Sequence, residues 1–148
     1  MKRVFIFLSC FCCLFLYGCA THSHSTSKPP VDKRAREKET RAAALRWLEL
    51  VDAGNYAQAH DEEPARLRAS TTEAQFIRSM EGRRAPFGRV LSRKFIGAAF
   101  TSKLTGSPDG HYESILFRTS FEHKSVAAER VILTQESHEW RVVDYRVY

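Results

Sequence analysis

Apolar residues recur at spacings of three and four positions from Lys33 to Ala53. This period is typical of an amphipathic helix with one buried face. Asp32 is positioned to cap the start of the helix, and Gly54 to end it. The first half of the helix is highly charged, which indicates that it protrudes or lies beside the segment before it.

Two further helices are predicted before residue 88. The second covers residues 56–70 and is interrupted near Pro64, because proline lacks the N–H donor that a helix interior needs. The third runs from about residue 72 to residue 83. Ser70 and Glu73 have the spacing of a capping box at its start.

After Gly88 the hydrophobic period changes from about 3.6 to 2, the alternation of β-strands. Four strands are predicted, at residues 89–101, 111–121, 127–135 and 139–147. Their connections are short enough for antiparallel hairpins. Helices grouped before strands indicate an α+β fold, with three N-terminal helices packed on one face of a four-stranded antiparallel meander.

A separate apolar run occupies Val4–Tyr17, directly after Lys2 and Arg3. Two cations before a short hydrophobic core are typical of a secretory signal. The run has 14 residues, whereas a membrane-spanning helix needs about 20. The sequence therefore predicts an exported protein rather than one with a transmembrane anchor here.

The end of this run, Leu16–Ala20, resembles the lipobox of bacterial lipoproteins, although Tyr17 stands where a small residue is usual. The resemblance implies cleavage after residue 18 and a lipid-anchored Cys19 that carries fatty acyl chains such as palmitate. Ala20 resembles the sorting signal for the outer membrane, with the domain facing the periplasm. The alternative is an ordinary cleaved signal with a cysteine there by chance.

The chain is thus divided into a signal peptide (residues 1–18), a lipidated and flexible tether (19–32) and one α+β domain (33–148). The tether is rich in Ser, Thr and Pro, with little to bury. His22 and His24 form a His-x-His pair that a metal could bind weakly. A solvated linker is the favoured interpretation, because the sequence supplies no third ligand nearby.

The formal net charge of +6 is concentrated before residue 47. Residues 28–46 hold seven cations against three acids, and residues 47–148 hold fourteen of each. A cationic stretch beside the tether suits the surface of an anionic membrane. The predicted lipoprotein topology argues against nucleic-acid binding, because the cell envelope holds little nucleic acid. Cys10, Cys12 and Cys13 lie within the predicted signal, so the domain has no disulfide.

Asp144 is the candidate acid or base, because a carboxylate in an apolar strand can be desolvated and its pKa raised. The alternative is an ion pair of Asp144 with Arg118 or Arg130, or simple exposure. Glu129 and Arg93 are charged residues in predicted strands, and they are expected to pair across the sheet. The alternative is that these two residues take part in catalysis.

Other residues give weaker signals. Trp47, Trp140, Tyr145 and Phe121 are expected in the core. A basic stretch around Pro86 favours a solvated strand edge over a phosphate or glycan site; it comprises Arg83, Arg84, Arg89, Arg93 and Lys94.

The histidines are scattered, at His60, His111, His123 and His138. No nucleotide, hydrolase or metal motif occurs, so no cofactor is expected, while composition alone leaves a Ser-His-Asp triad open.

Several ordered segments resemble the domain-of-unknown-function 4019 family, whose folds are similar to the nuclear-transport-factor-two-like or cystatin-like superfamily. They are residues 44–48, 51–56, 84–90, 92–93, 109–110, 121–124, 129 and 140–145. The resemblance implies a cone in which helices cover a curved sheet. His60, residues 137–139 and Asp144 depart from the family pattern. The family confers no established activity.

These observations predict a non-enzymatic envelope lipoprotein that binds a protein partner or small ligand. The alternative is an isomerase- or hydrolase-like enzyme that uses Asp144 inside the cone.

Overall fold

A computed structural model describes residues 32–148. The predicted signal peptide, Cys19, and the tether up to residue 31 lie outside the described residues. Within residues 32–148, helices come first and strands follow, so the predicted α+β class is confirmed. The elements are α1 (Lys33–Asp52), α2 (Tyr56–Asp61), α3 (Ala65–Ser70), α4 (Glu73–Arg83), a 3₁₀ turn (Ala85–Phe87), β1 (Val90–Thr101), β2 (Tyr112–Phe121), β3 (Ala127–Glu136) and β4 (Glu139–Val147).

The first helix, α1, has the predicted ends. The Asp32 carboxylate accepts a hydrogen bond of 3.0 Å from the backbone N–H of Arg34, which satisfies a free donor of the first turn. Beyond the helix, Gly54 has a φ of 75°, a conformation that glycine adopts without strain. Buried positions form one stripe of α1, at Thr40, Ala43, Ala44, Trp47, Leu48 and Val51.

The predicted second helix is two short helices, α2 and α3, with Pro64 between them. The Arg68 side chain fixes the turn, because its Nη1 donates to the carbonyls of Asp61 at 2.7 Å and Glu63 at 2.6 Å. The expected break is confirmed. Four α-helices are therefore present within residues 32–148, rather than the three predicted for the domain.

A capping box is present at the start of α4, but the residues predicted for it, Ser70 and Glu73, are wrong. Thr72 is the N-cap: its hydroxyl accepts from the backbone N–H of Gln75 at 3.3 Å, and the Gln75 side chain accepts from the Thr72 N–H at 2.9 Å. Ser70 ends α3, where its hydroxyl donates to the carbonyl of Leu67. Ser70 is therefore engaged in the preceding helix.

The sheet is an antiparallel meander with the strand order β1-β2-β3-β4. The turn between β3 and β4 has positive φ at both Ser137 (49°) and His138 (69°), as a two-residue type I′ hairpin requires. Bulges interrupt β1 between Val90 and Ser92 and between Phe95 and Gly97. A third lies in β3.

The helices cover one face of the sheet, and the core lies between them. In β2, Ile115, Phe117, Thr119 and Phe121 lie on one face, and all four are buried. Trp47 and Tyr145 meet in this core with ring centroids 5.3 Å apart. Trp140 is only partly buried at its edge. Of the helices within residues 32–148, none has the length and apolar character that a membrane span requires.

Candidate functional site

Glu129 lies at the centre of a buried polar cluster on the helix-facing side of the sheet. Its carboxylate accepts hydrogen bonds from Arg93 Nε (2.6 Å) and Nη2 (3.0 Å), from the Thr119 hydroxyl (2.7 Å) and from the Tyr145 hydroxyl (2.8 Å). Each of these residues belongs to a different strand. One fully buried carboxylate thus links β1, β2, β3 and β4.

The cluster extends to the end of α1 through Asp52. Arg93 donates to the Asp52 carboxylate from Nη1 at 2.7 Å, and Arg84 donates to it from Nη2 at 2.9 Å. Arg84 is buried, with its guanidinium 4.6 Å from the ring centroid of Phe121. We call this set the Glu129 cluster: Asp52, Arg84, Arg93, Thr119, Glu129 and Tyr145.

Strand register explains how these side chains meet. Arg93 lies opposite Thr119, and Thr119 lies opposite Ala127, two residues before Glu129. Because side chains two residues apart in a strand share a face, Arg93, Thr119 and Glu129 lie on the same face of the sheet. The predicted pairing of Arg93 with Glu129 is confirmed. Sequence reasoning missed Asp52 and Arg84 as partners, because the packing of α1 on the sheet brings them together and no local motif signals it.

Contacts within the cluster shift the pKa values of Arg93 and Tyr145. Burial alone would lower the pKa of Arg93, but hydrogen bonds and charge attraction from Asp52 and Glu129 raise it above its ordinary value. Burial, together with the charge and hydrogen bond of Glu129, raises the pKa of Tyr145. Arg93 therefore stays charged and Tyr145 stays a donor. This arrangement connects α1 and all four strands of the sheet.

The structure places Asp144 in ion pairs on the other face of the sheet. Its carboxylate lies 3.4 Å from Arg130 and 3.1 Å from Arg146, and its side chain is 24% exposed. The predicted alternative, a pair with Arg130, is confirmed, and Arg118 is not its partner. Asp144 borders an open depression of about 410 Å³, and the described residues form no enclosed pocket around it.

Sequence reasoning also missed a buried pair in the α2–α3 turn. His60 is buried, its Nε2 lies 2.9 Å from the Thr71 carbonyl oxygen, and the same nitrogen is 4.0 Å from Glu63. Burial raises the pKa of Glu63 to about 7, although the positive charges of His60, Arg83 and Arg68 oppose the rise. No sequence pattern marks this pair, because the tight turn at Pro64 creates its burial.

The other predicted polar groups are dispersed. His111, His123 and His138 are exposed and lie at turns, as expected. Within residues 32–148, no group of three His, Cys, Asp or Glu side chains is placed to hold a metal ion. His22 and His24 lie outside the described residues.

The basic stretch around Pro86 does not form one patch. Arg84 and Arg93 point into the Glu129 cluster, as described above. Arg89 pairs with Glu122 at 2.6 Å, and Arg83 donates to the carbonyl oxygen of Tyr145 at 3.4 Å. Four of the five cations therefore have partners within the domain, so they are not gathered for an anionic ligand.

An open groove lies between α1 and the start of β4. Its floor is apolar, and its rim is charged; its narrower part has a volume of about 270 Å³, and a wider part that shares several lining residues has about 580 Å³. We call it the α1–β4 groove, with the floor Trp47, Leu50, Trp140 and Val142 and the rim Glu39, Arg46, Glu49, Glu62, Glu139 and Arg141.

The indole N–H groups of the two groove tryptophans differ in their hydrogen bonding. The Trp47 indole N–H donates to the Ala59 carbonyl at 3.0 Å, which ties α1 to α2. The Trp140 indole N–H is buried and has no acceptor among residues 32–148. Such an unpaired buried donor costs about 1–3 kcal/mol. Trp140 is held at this position by the type I′ turn that starts β4.

Most of the charges on the groove rim are not neutralised within the domain. Arg141 pairs with Glu139 at 2.6 Å. Within residues 32–148, no ion pair involves Glu39, Glu49, Glu62 or Arg46. The rim therefore carries four carboxylates against two guanidinium groups.

Comparison with known proteins identifies the family. Residues 43–145 match the family described as protein of unknown function, DUF4019, and the chain belongs to it. The predicted resemblance to this family is thus confirmed. No curated protein and no solved structure matches the chain.

Proposed function

We propose that this member of the DUF4019 family is a lipid-anchored envelope protein whose domain binds a partner through the α1–β4 groove, without catalysis. The observation that carries the proposal is the groove itself: an open cleft with two tryptophans in its floor and unpaired charges on its rim. Clefts with an apolar floor and a few polar groups are typical of binding sites.

The sequence supports the anchor. Residues 2–17 have the layout of a secretory signal, and Cys19 follows Gly18 as in a lipobox. Acyl chains on Cys19 would hold the protein in the outer membrane, facing the periplasm, because two or more chains make anchoring stable. The cations of residues 28–46 would then lie beside an anionic bilayer.

The interior of the domain supports binding rather than catalysis. In the cone that the superfamily resemblance implies, a catalytic pocket would lie between the helices and the inner face of the sheet. Core side chains and the Glu129 cluster occupy that space, and Glu129 has all of its hydrogen-bond partners. Asp144, the acid of the enzyme alternative, lies on the outer face beside two arginines.

Metabolic labelling with a clickable fatty acid tests the anchor. We expect the mature protein to be labelled and Cys19→Ser to lose the label. Cys13→Ser is the matched control, because it removes a cysteine of the predicted signal and should keep the label. Equal labelling of Cys19→Ser and the parent protein would refute the anchor.

Photo-crosslinking in intact cells tests the groove. A photoreactive amino acid at position 46, on the groove rim, should give a discrete adduct of the lipidated protein. The same group at position 78 is the control, because Arg78 is also an exposed helical arginine but lies on α4, outside the groove. No adduct at position 46, or the same adduct at position 78, would contradict the proposal.

A further inference from the structure

We infer that the α1–β4 groove selects a basic peptide segment of its partner and receives a lysine or arginine side chain between its tryptophans and glutamates. This inference rests on the proposed function, and it adds the chemistry of the partner.

The groove has the opposite charge to the domain around it. Its rim carries two more carboxylates than guanidinium groups, with His138 neutral. Residues 32–148 as a whole hold 20 Lys and Arg against 17 Asp and Glu. A negative groove on a positive domain attracts cations locally while the rest of the surface repels them.

Glu49 has no structural reason to be acidic. It lies in the last turn of α1, where the helix dipole favours a cation and disfavours an anion. It is exposed, and within residues 32–148 it forms no ion pair that would offset this cost. An unfavourable carboxylate beside the apolar floor is expected where a charge serves binding.

The floor suits the other parts of a basic peptide. Long lysine and arginine stems pack on apolar surface, and their cationic ends are attracted to tryptophan rings. The narrow part, at about 270 Å³, is smaller than the site of a drug-sized ligand and fits a side chain. The Trp140 indole N–H lacks an acceptor among residues 32–148, and a small shift of the ring would offer it to a peptide carbonyl.

Tryptophan fluorescence gives a direct readout, because the chain has only two tryptophans and both line the groove. The probe is an acetylated and amidated peptide of alternating leucine and lysine, titrated into the mature full-length protein in detergent. We expect saturable changes in fluorescence that weaken as salt is added. The same peptide with glutamate in place of lysine should bind at least about tenfold more weakly.

Charge variants locate the interaction. Glu49→Lys combined with Glu62→Lys should weaken binding of the lysine peptide by about tenfold, since attraction becomes repulsion at two positions. Glu81→Lys is the control, because Glu81 is an exposed helical glutamate outside the groove. It should change the logarithm of Kd by less than half as much as the double variant does. Arg46→Glu should tighten binding.

The inference is overturned if the glutamate peptide binds as tightly as the lysine peptide, if anionic lipid vesicles compete for the groove better than the lysine peptide does, or if Glu81→Lys equals the double variant. Crosslinking at position 46 without binding of the lysine peptide would refute the basic partner and leave the proposed function standing. Loss of both would refute both.

Discussion

The Glu129 cluster and the α1–β4 groove differ in whether their charged side chains are paired. In the cluster, every charged group is paired, and the central carboxylate has donors from three other strands. In the groove, three carboxylates and one guanidinium on the rim have no ion-pair partner within residues 32–148. Charge in the first region connects elements of the fold, whereas charge in the second is available to another molecule.

Removing the central carboxylate tests the first half of this comparison and has the largest expected effect. Glu129→Ala leaves Arg93 without its buried partner, so it should reduce the free energy of unfolding by about 3–5 kcal/mol. Urea denaturation measures the change. Glu81→Ala, on an exposed helix face, should stay within about 0.5 kcal/mol of the parent. Equal stability of the two variants would show that the cluster does not hold the fold.

Removing one donor from the cluster is a milder version of the same test. Tyr145→Phe deletes only the hydroxyl that donates to Glu129, so it should cost about 1.5–3 kcal/mol with little change in packing. Tyr148→Phe is the matched control, because Tyr148 is 52% exposed. The same midpoint of denaturation for both variants would show that the hydrogen bond from Tyr145 to Glu129 does not stabilise the fold.

The pH dependence of stability tests Glu63, the buried carboxylate of the α2–α3 turn whose pKa is raised. Its pKa is about 7 in the folded protein and 4.5 as an ordinary side chain. Between these values the folded state holds a proton that the unfolded state has lost. This residue therefore stabilises the fold progressively as the pH falls from 7 towards 4.5, and that contribution is lost as the pH rises through 7.

Glu63→Gln imitates the protonated carboxyl and removes its titration. The stability of the parent protein minus that of this variant should rise as the pH falls from 8 to 5. Subtracting the stability of the variant removes the contribution of groups that titrate equally in both proteins. His60, Arg68 and Arg83 face Glu63 and are present in both proteins. A difference that is flat with pH would contradict the raised pKa.

The smallest expected effect on stability belongs to the groove. Glu49→Lys should leave the free energy of unfolding within about 0.5 kcal/mol, or raise it slightly, because a cation suits the end of α1. Its affinity for the lysine peptide should fall nonetheless. A clear loss of stability would mean that Glu49 belongs to the fold, and the contrast between the two regions would then disappear.

Local sequence signals predicted the elements well. Asp32 and Gly54 mark the ends of α1, because caps depend on neighbouring backbone groups. The change to a period of 2 after Gly88 predicted the four strands. The expected break at Pro64 was confirmed, although it leaves two helices where one was predicted. The error was a local competition: Thr72 rather than Ser70 capped α4, because Ser70 ended the helix before it.

The candidate sites were predicted less completely. The Arg93–Glu129 pair was predicted from two charged residues in strands, yet Asp52 and Arg84 join it from distant parts of the chain. The sequence indicated that Trp47 and Trp140 were apolar core residues. It did not indicate that a cleft opens between them, because the space between a helix and a strand depends on how both pack.

The sequence by itself determined the α+β order, the ends of α1, the alternation of the four strands and the neutral charge of residues 47–148. These properties depend on residues close together in the chain or on composition. Only the tertiary structure decided which charges are paired. It buried Glu129 among donors from three strands, sent Asp144 to the outer face, and left Glu49 and Glu62 beside two tryptophans. Burial and pairing depend on packing between distant segments, which no local pattern encodes.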